Sequence, residues 1–118
     1  MYELKIKSHF DAAHQLKDYQ GKCSQLHGHR WDVEVCVSGT ELLQGNLLLD
    51  FSVLKKVLNT VLDRFDHHFL NEVLENDNPT AELLSMQIYS MLAESGTYVD
   101  YVRVWESPDC SATYYEET

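Results

Sequence analysis

The sequence has no apolar run near the ~20 residues needed to cross a bilayer. Its first residues, Met-Tyr-Glu-Leu-Lys-Ile-Lys, alternate polar and apolar where a signal peptide would be continuously apolar. These absences predict a cytoplasmic protein with no membrane partner. Positive charge is also scarce: 9 lysines and arginines stand against 19 aspartates and glutamates, a net charge of −10. Nucleic acid is bound by neutralising its phosphates with basic side chains, so no nucleic-acid partner is expected, although local positive charge can still meet a small anion. Cysteine is rare: Cys23, Cys36 and Cys110 make an odd count with no C-x-x-C, which excludes a disulfide framework and predicts free thiols. Repeats, low-complexity tracts and linkers are missing, so residues 1–118 read as one domain.

The chain has an ordinary globular composition, 44% hydrophobic and 24% charged. Residues 2–14 read as a strand, with Leu4, Ile6, Ser8, Phe10, Ala12 and His14 on one face at a period of two. Asp18 to Gln25 reads as a loop around Gly21. His27 to Ser38 forms a second strand, whose same-face set includes His27, His29, Trp31, Val33, Val35 and Val37; Cys36 belongs to the core. Asp50 or Ser52 caps a helix with apolar positions Val53, Leu54, Val57, Leu58, Val61, Leu62 and Phe65. Asn78-Pro79-Thr80 announces a second helix, with proline in its first turn, and Gly96 stops it. Strands over Tyr98–Glu106 and Ala112–Glu116 follow, parted by Ser107-Pro108-Asp109. The order ββααββ predicts an α+β fold, a four-stranded antiparallel sheet with two helices on one face. Neither sheet edge carries an obvious guard, which favours edge-to-edge pairing between subunits.

His27-Gly28-His29 places two imidazoles on one face of a strand, and His14 ends the neighbouring strand. Three neutral imidazoles with an open fourth position form the ligand set of a catalytic zinc centre. An isolated H-x-H is more often two ordinary strand histidines, but Phe10-Asp11-Ala12-Ala13-His14 supplies small residues that leave space at a metal. A closed structural site with Cys23 as fourth ligand is the other reading. Asp66-His67 pairs a carboxylate with a ring suited to acid–base work, and a thiol near a metal or cation favours its thiolate. Glu106, at the end of an apolar strand, can accept paired hydrogen bonds from an amidine-like ring edge. A solvated glutamate is the plainer alternative there, as surface or packing roles are for His9 and His68. Arg30 and Lys22 are sources of local positive charge.

These pieces stand in the same order in one family. Phe10–His14 with Cys23-Ser24-Gln25-Leu26-His27-Gly28-His29 resembles the zinc and cysteine signature of the tetrahydropterin synthases. Asp66-His67-His68-Phe69-Leu70-Asn71 resembles the family's D-H-x-x-L-N segment, Asn78-Pro79-Thr80-Ala81-Glu82 its P-T-x-E segment, and Glu106-Ser107 its pterin-anchoring glutamate. The three-residue spacing between Cys23 and His27 is similar to that of the 6-carboxytetrahydropterin branch, whereas the 6-pyruvoyl branch generally has a longer insertion.

The resemblance implies the T-fold and a zinc ion on His14, His27 and His29. It implies Cys23 as general base, Asp66 and His67 as a coupled proton-transfer pair, and Glu106 and Thr80 as substrate-binding residues. The implied substrate is 7,8-dihydroneopterin triphosphate, converted to 6-carboxy-5,6,7,8-tetrahydropterin with loss of acetaldehyde and triphosphate in the queuosine pathway. The implied assembly is a homo-oligomeric, trimer-based ring or a stacked pair of rings forming a hexamer, with active sites at subunit interfaces. A 6-pyruvoyl or side-chain-cleaving activity keeps the same site, and a non-catalytic zinc-stabilised assembly module is the reading from another class. Leu83, where relatives often carry asparagine, and Arg30, after H-G-H, depart from the family pattern.

Overall fold

The computed structural model describes residues 1–16, 25–75 and 78–117. Strands β1 (Tyr2–His14) and β2 (His27–Gly39) form a long antiparallel ribbon. Helix α1 (Phe51–Leu62), a single turn α2 (Leu70–Val73) and helix α3 (Ala81–Glu94) follow, then β3 (Tyr101–Ser107) and β4 (Cys110–Tyr114). The sheet is antiparallel throughout, in the order β1-β2-β3-β4. The long elements thus keep the order ββααββ, and α2 is too short to show a helical period in the sequence.

The period-two pattern decides which face is covered. Ile6, Phe10 and Ala12 of β1, Trp31, Val33 and Val35 of β2, and Val102 and Val104 of β3 are buried, and they share one core with Leu54, Leu58, Leu84, Ile88 and Leu92 of the helices. The alternate positions are polar: on the uncovered face Tyr101 donates to Glu34 at 2.6 Å and Arg103 to the same carboxylate at 3.1 Å. One face is dry and the other wet, as an antiparallel sheet permits.

Helix ends follow their caps. Asp50 is the α1 N-cap, its carboxylate accepting from the Ser52 amide at 2.8 Å. Thr80 caps α3 by accepting from the Leu83 amide at 3.1 Å. Pro79 therefore lies before the cap and not in the first turn as expected. Leu83 packs against the core, so the departure at this position costs α3 no capping bond. The final strands sit elsewhere than expected. The two-residue turn Pro108-Asp109 pairs Ser107 with Cys110, which starts β4 at residue 110 rather than 112. At the other end Asp100 meets Cys36 through one amide bond of 2.7 Å, and β3 begins only at Tyr101.

The expectation of two bare edges fails over part of β1. Residues 66–71 run along its outer side: Asp66 accepts from the Asp11 amide, His67 donates its amide to the Asp11 carbonyl, and the Ala13 amide donates to His68. Asn71 completes this cover at Gln15. From Glu3 to His9 the outer side of β1 has no backbone partner among the described residues.

Candidate metal centre

The β1–β2 register brings three histidines together. His14 faces His27 and Ala12 faces His29, so the small side chain at 12 leaves room beside the second ring of the H-x-H pair. Trp31, one pair further on and fully buried, closes the base, its ring 4.8 Å from His14 and 4.5 Å from His29. Gly28 is not demanded sterically: a Cβ there would meet Ala13 at an ordinary 3.8 Å.

Two of the three rings are held through the nitrogen away from the cluster. His14 donates from Nδ1 to the Pro79 carbonyl at 2.8 Å, and His27 from Nδ1 to the Gln25 carbonyl at 2.8 Å. With the proton on Nδ1, each Nε2 carries a lone pair, yet these two atoms stand 2.9 Å apart. Burial lowers the pKa of both His14 and His29 and so favours neutral rings. Among the described residues His29 Nε2 is buried without a hydrogen-bond partner. Glu106 comes in from β3, its Oε1 3.4 Å from His14 Nε2. Ligand atoms of His14, His27, His29 and Glu106 all lie within 4.8 Å of one another.

Lone pairs facing each other and an orphaned buried nitrogen are costly unless something electrophilic lies between them. A cation satisfies all of them at once, and carbonyl-held Nδ1 atoms are the usual outer support of metal-binding histidines. The donor set therefore fits a metal ion. The sequence does not reveal the proximity of Glu106 to the histidines, because it depends on β3 pairing with β2, nor the role of the Pro79 carbonyl.

The remaining predicted residues lie around this centre. Glu106 also lines a cavity of about 270 Å³ with Ala81, Glu82, Cys110, Ser111 and Ala112. Thr80, next to Ala81, uses its oxygen for the α3 cap, and its O–H can still donate. Asp66 and His67 form a pair, Oδ2 to Nδ1 2.9 Å, with the His67 side chain 79% exposed. His67 has φ of 59°, a left-handed conformation uncommon for a side chain of its size, and its amide is fixed on Asp11 at 2.6 Å. The Asp11 amide, and secondarily His67, hold the Asp66 carboxyl below the usual range. This pair lies along the β1 edge and is not among the converging ligand atoms. Cys23 lies outside the described residues.

The sequence profile of the 6-pyruvoyl tetrahydropterin synthases matches residues 3–117. The chain belongs to the 6-pyruvoyl tetrahydropterin synthase family. A protein of Archaeoglobus fulgidus, provisionally named as a 6-carboxy-5,6,7,8-tetrahydropterin synthase, is 41% identical over 88% of this chain and 87% of its own length. The 6-carboxy-5,6,7,8-tetrahydropterin synthase of Synechocystis is 36% identical over 90% and 87%. A dihydroneopterin monophosphate aldolase of Pyrococcus furiosus is 40% identical over 70% and 67%. The 6-pyruvoyl tetrahydropterin synthase structure of Caenorhabditis elegans superposes with a TM-score of 0.86 at 24% identity, covering 98% of this chain and 96% of that one. That likeness gives the family's T-fold, the α+β architecture described above.

Proposed function

We propose that the protein is a zinc-dependent lyase acting on 7,8-dihydroneopterin triphosphate, with 6-carboxy-5,6,7,8-tetrahydropterin, acetaldehyde and triphosphate as products. The observation that carries this reading is the convergence of His14, His27, His29 and Glu106 within 4.8 Å in a chain of this family. Imidazole donors suit zinc better than hard cations. Zinc held there supplies electrophilic stabilisation to substrate oxygens and acidifies the neighbouring C–H bonds.

The chain's own residues supply the rest. Glu106, shared between the histidine cluster and the 270 Å³ cavity, accepts hydrogen bonds from the amino-pyrimidine edge of a pterin. Thr80, beside that cavity, adds a donor. Cys23 is the general base on one side of the substrate, and His67, oriented through Nδ1 by Asp66, exchanges the second proton through Nε2. The exposure of His67 supports a site completed across an interface between copies of the chain, in a homo-oligomeric ring. We place this enzyme in the cytoplasm, acting as one domain of residues 1–118 in queuosine synthesis; among the described residues no helix is long and apolar enough to cross a membrane.

The test is incubation of zinc-loaded protein with 7,8-dihydroneopterin triphosphate and identification of products by mass spectrometry. The 6-carboxy product with acetaldehyde supports the proposal. A 6-pyruvoyl product, or the side-chain cleavage suggested by the Pyrococcus furiosus relative, reassigns the branch while keeping the site. No turnover by zinc-loaded protein would favour the assembly module with Cys23 as fourth ligand.

A further inference from the structure

Positive charge, scarce in this chain, is concentrated at one place. A groove of about 900 Å³ runs between the open half of β1 and helix α1, and Lys5, Lys7, Lys55 and Lys56 line it, four of the nine basic residues. Lys7 sends its ammonium over Trp105 on the uncovered sheet face, 4.3 Å from the ring centroid, and Lys5 leans on Glu3 at 3.4 Å. Lys55 and Lys56, both exposed on α1, supply the groove's remaining charge, and Asp63 is the lone carboxylate of its lining. Its apolar elements are Ile6 and Phe51, the latter 53% exposed at the start of α1. The β1 wall is an unpaired strand edge, which accepts an extended chain.

An extended acidic segment is present in the molecule itself. Among the described residues strand β4 is paired on one side only, by β3, and the chain continues into Tyr115-Glu116-Glu117. We infer that the groove receives the end of a second copy of this chain, with Glu116 of the second copy between Lys55 and Lys56. This rests on the edge-to-edge assembly in the proposed function and names the contact that holds it.

The register follows from the cover on β1. Residues 66–71 occupy the strand's outer side from Asp11 to Gln15, so an added strand is confined to residues 3–9. Facing side chains must share a sheet face. Even positions of β4 point to the helices, since Tyr114 meets Tyr89 of α3 edge to face at 5.0 Å between ring centroids, as do the even positions of β1 such as Ile6 and Phe10. An antiparallel pairing that sets Ser111 against His9 sets Tyr115 against Lys5. Glu116 then projects to the helix side, opposite Leu4 and toward α1 and its two lysines, whereas Glu117 falls on the other face opposite Glu3 and diagonal to Lys5, so the attraction rests on Glu116. The same register brings the β4 start of one copy, beside its Glu106, up to the Asp66–His67 end of the cover on the next.

The test is a charge swap read by sedimentation velocity of the full chain, with folding checked by circular dichroism. Glu116→Lys should weaken self-association tenfold or more in 50 mM salt, as should Lys55→Glu/Lys56→Glu. Mixing the two variants should recover association in part, because contacts between unlike copies are complementary, at two of the three contacts in a ring of three. The deficit should also vanish at 0.5 M salt, where the charges are screened. Folded variants that associate as tightly as the parent overturn the latch while leaving edge assembly standing. A parent that stays monomeric at all concentrations overturns both.

Discussion

Asn71 closes a two-way amide clamp on the backbone of Gln15: its Oδ1 accepts from the Gln15 amide at 2.9 Å and its Nδ2 donates to the Gln15 carbonyl at 2.7 Å. Only 4% exposed, this side chain does for β1 what a neighbouring strand would do, one residue beyond a histidine of the candidate metal centre. Replacing it with leucine strands two backbone groups that are partly withdrawn from water. Unpaired buried groups cost about 1–3 kcal/mol each, so Asn71→Leu should lower the urea midpoint of unfolding. An unchanged midpoint would show that the clamp is dispensable.

Metal retention should depend on the rings individually. His27→Ala removes a ligand at a half-buried position and should leave a folded protein that has lost most of its zinc after dialysis, measured by elemental analysis. His14→Ala should lose zinc and stability together, because His14 is 0% exposed and bonded to Pro79. Full zinc occupancy in His27→Ala would contradict the ligand assignment. Cys23→Ala, in contrast, should keep zinc and lose most turnover.

Asp66 makes a pH prediction with a definite sign. Its carboxyl is lowered in the fold, first by the Asp11 amide and then by His67. Its stabilising contribution is therefore complete above the unfolded value, about 3.9, and fades as pH falls through the lower folded value. Asp66→Asn should flatten the stability–pH curve between about pH 5 and 3 relative to the parent, and should reduce turnover at neutral pH by freeing the His67 ring. Parallel curves for parent and variant would rule out this linkage.

Thiol reactivity should separate two of the cysteines. Burial pushes the Cys36 thiol up to about 11, and it is 1% exposed, whereas Cys110 is exposed. At pH 8 iodoacetamide should label the Cys110 peptide well before the Cys36 peptide, and denaturant should erase the difference. Early labelling of Cys36 in folded protein would be inconsistent with its place in the sheet.

Core truncation sets the scale for these effects. Leu58 is 0% exposed between α1 and the sheet, so Leu58→Ala should cost about 2–5 kcal/mol, a large share of what a domain of this size has to spare. A loss under 1 kcal/mol by chemical denaturation would mean the helix is packed otherwise.

Much of this was legible in the sequence because the signals were periodic. Alternation over residues 2–14 and 27–38 fixed two strands and the shared face of His14, His27 and His29, and Asp50 marked a helix start through ordinary capping chemistry, while Asn78-Pro79-Thr80 marked the next helix but not that Thr80 is its cap. What stayed hidden is what depends on distant partners. Asn71 reads as one polar residue in a short turn until Gln15 is beside it, 56 positions away. Glu106 joins the histidines only through the pairing of β3 with β2. The left-handed turn at His67 has no marker such as glycine. The β4 start was displaced by two residues because strand propensity does not report where a hairpin closes.

His14 and His27 are the last facing residues of the β1–β2 ribbon, and residues 15–26 connect them. An ion gripped by both rings is thus also a removable cross-link that turns this connection into a closed ring of chain. Restraining the ends of such a segment reduces its freedom in every state in which the ion is held. Metal affinity and the pairing of His14 with His27 at the ribbon's far end are then one coupled equilibrium: whatever stiffens that pairing raises affinity for an ion, and whatever withdraws the ion loosens it.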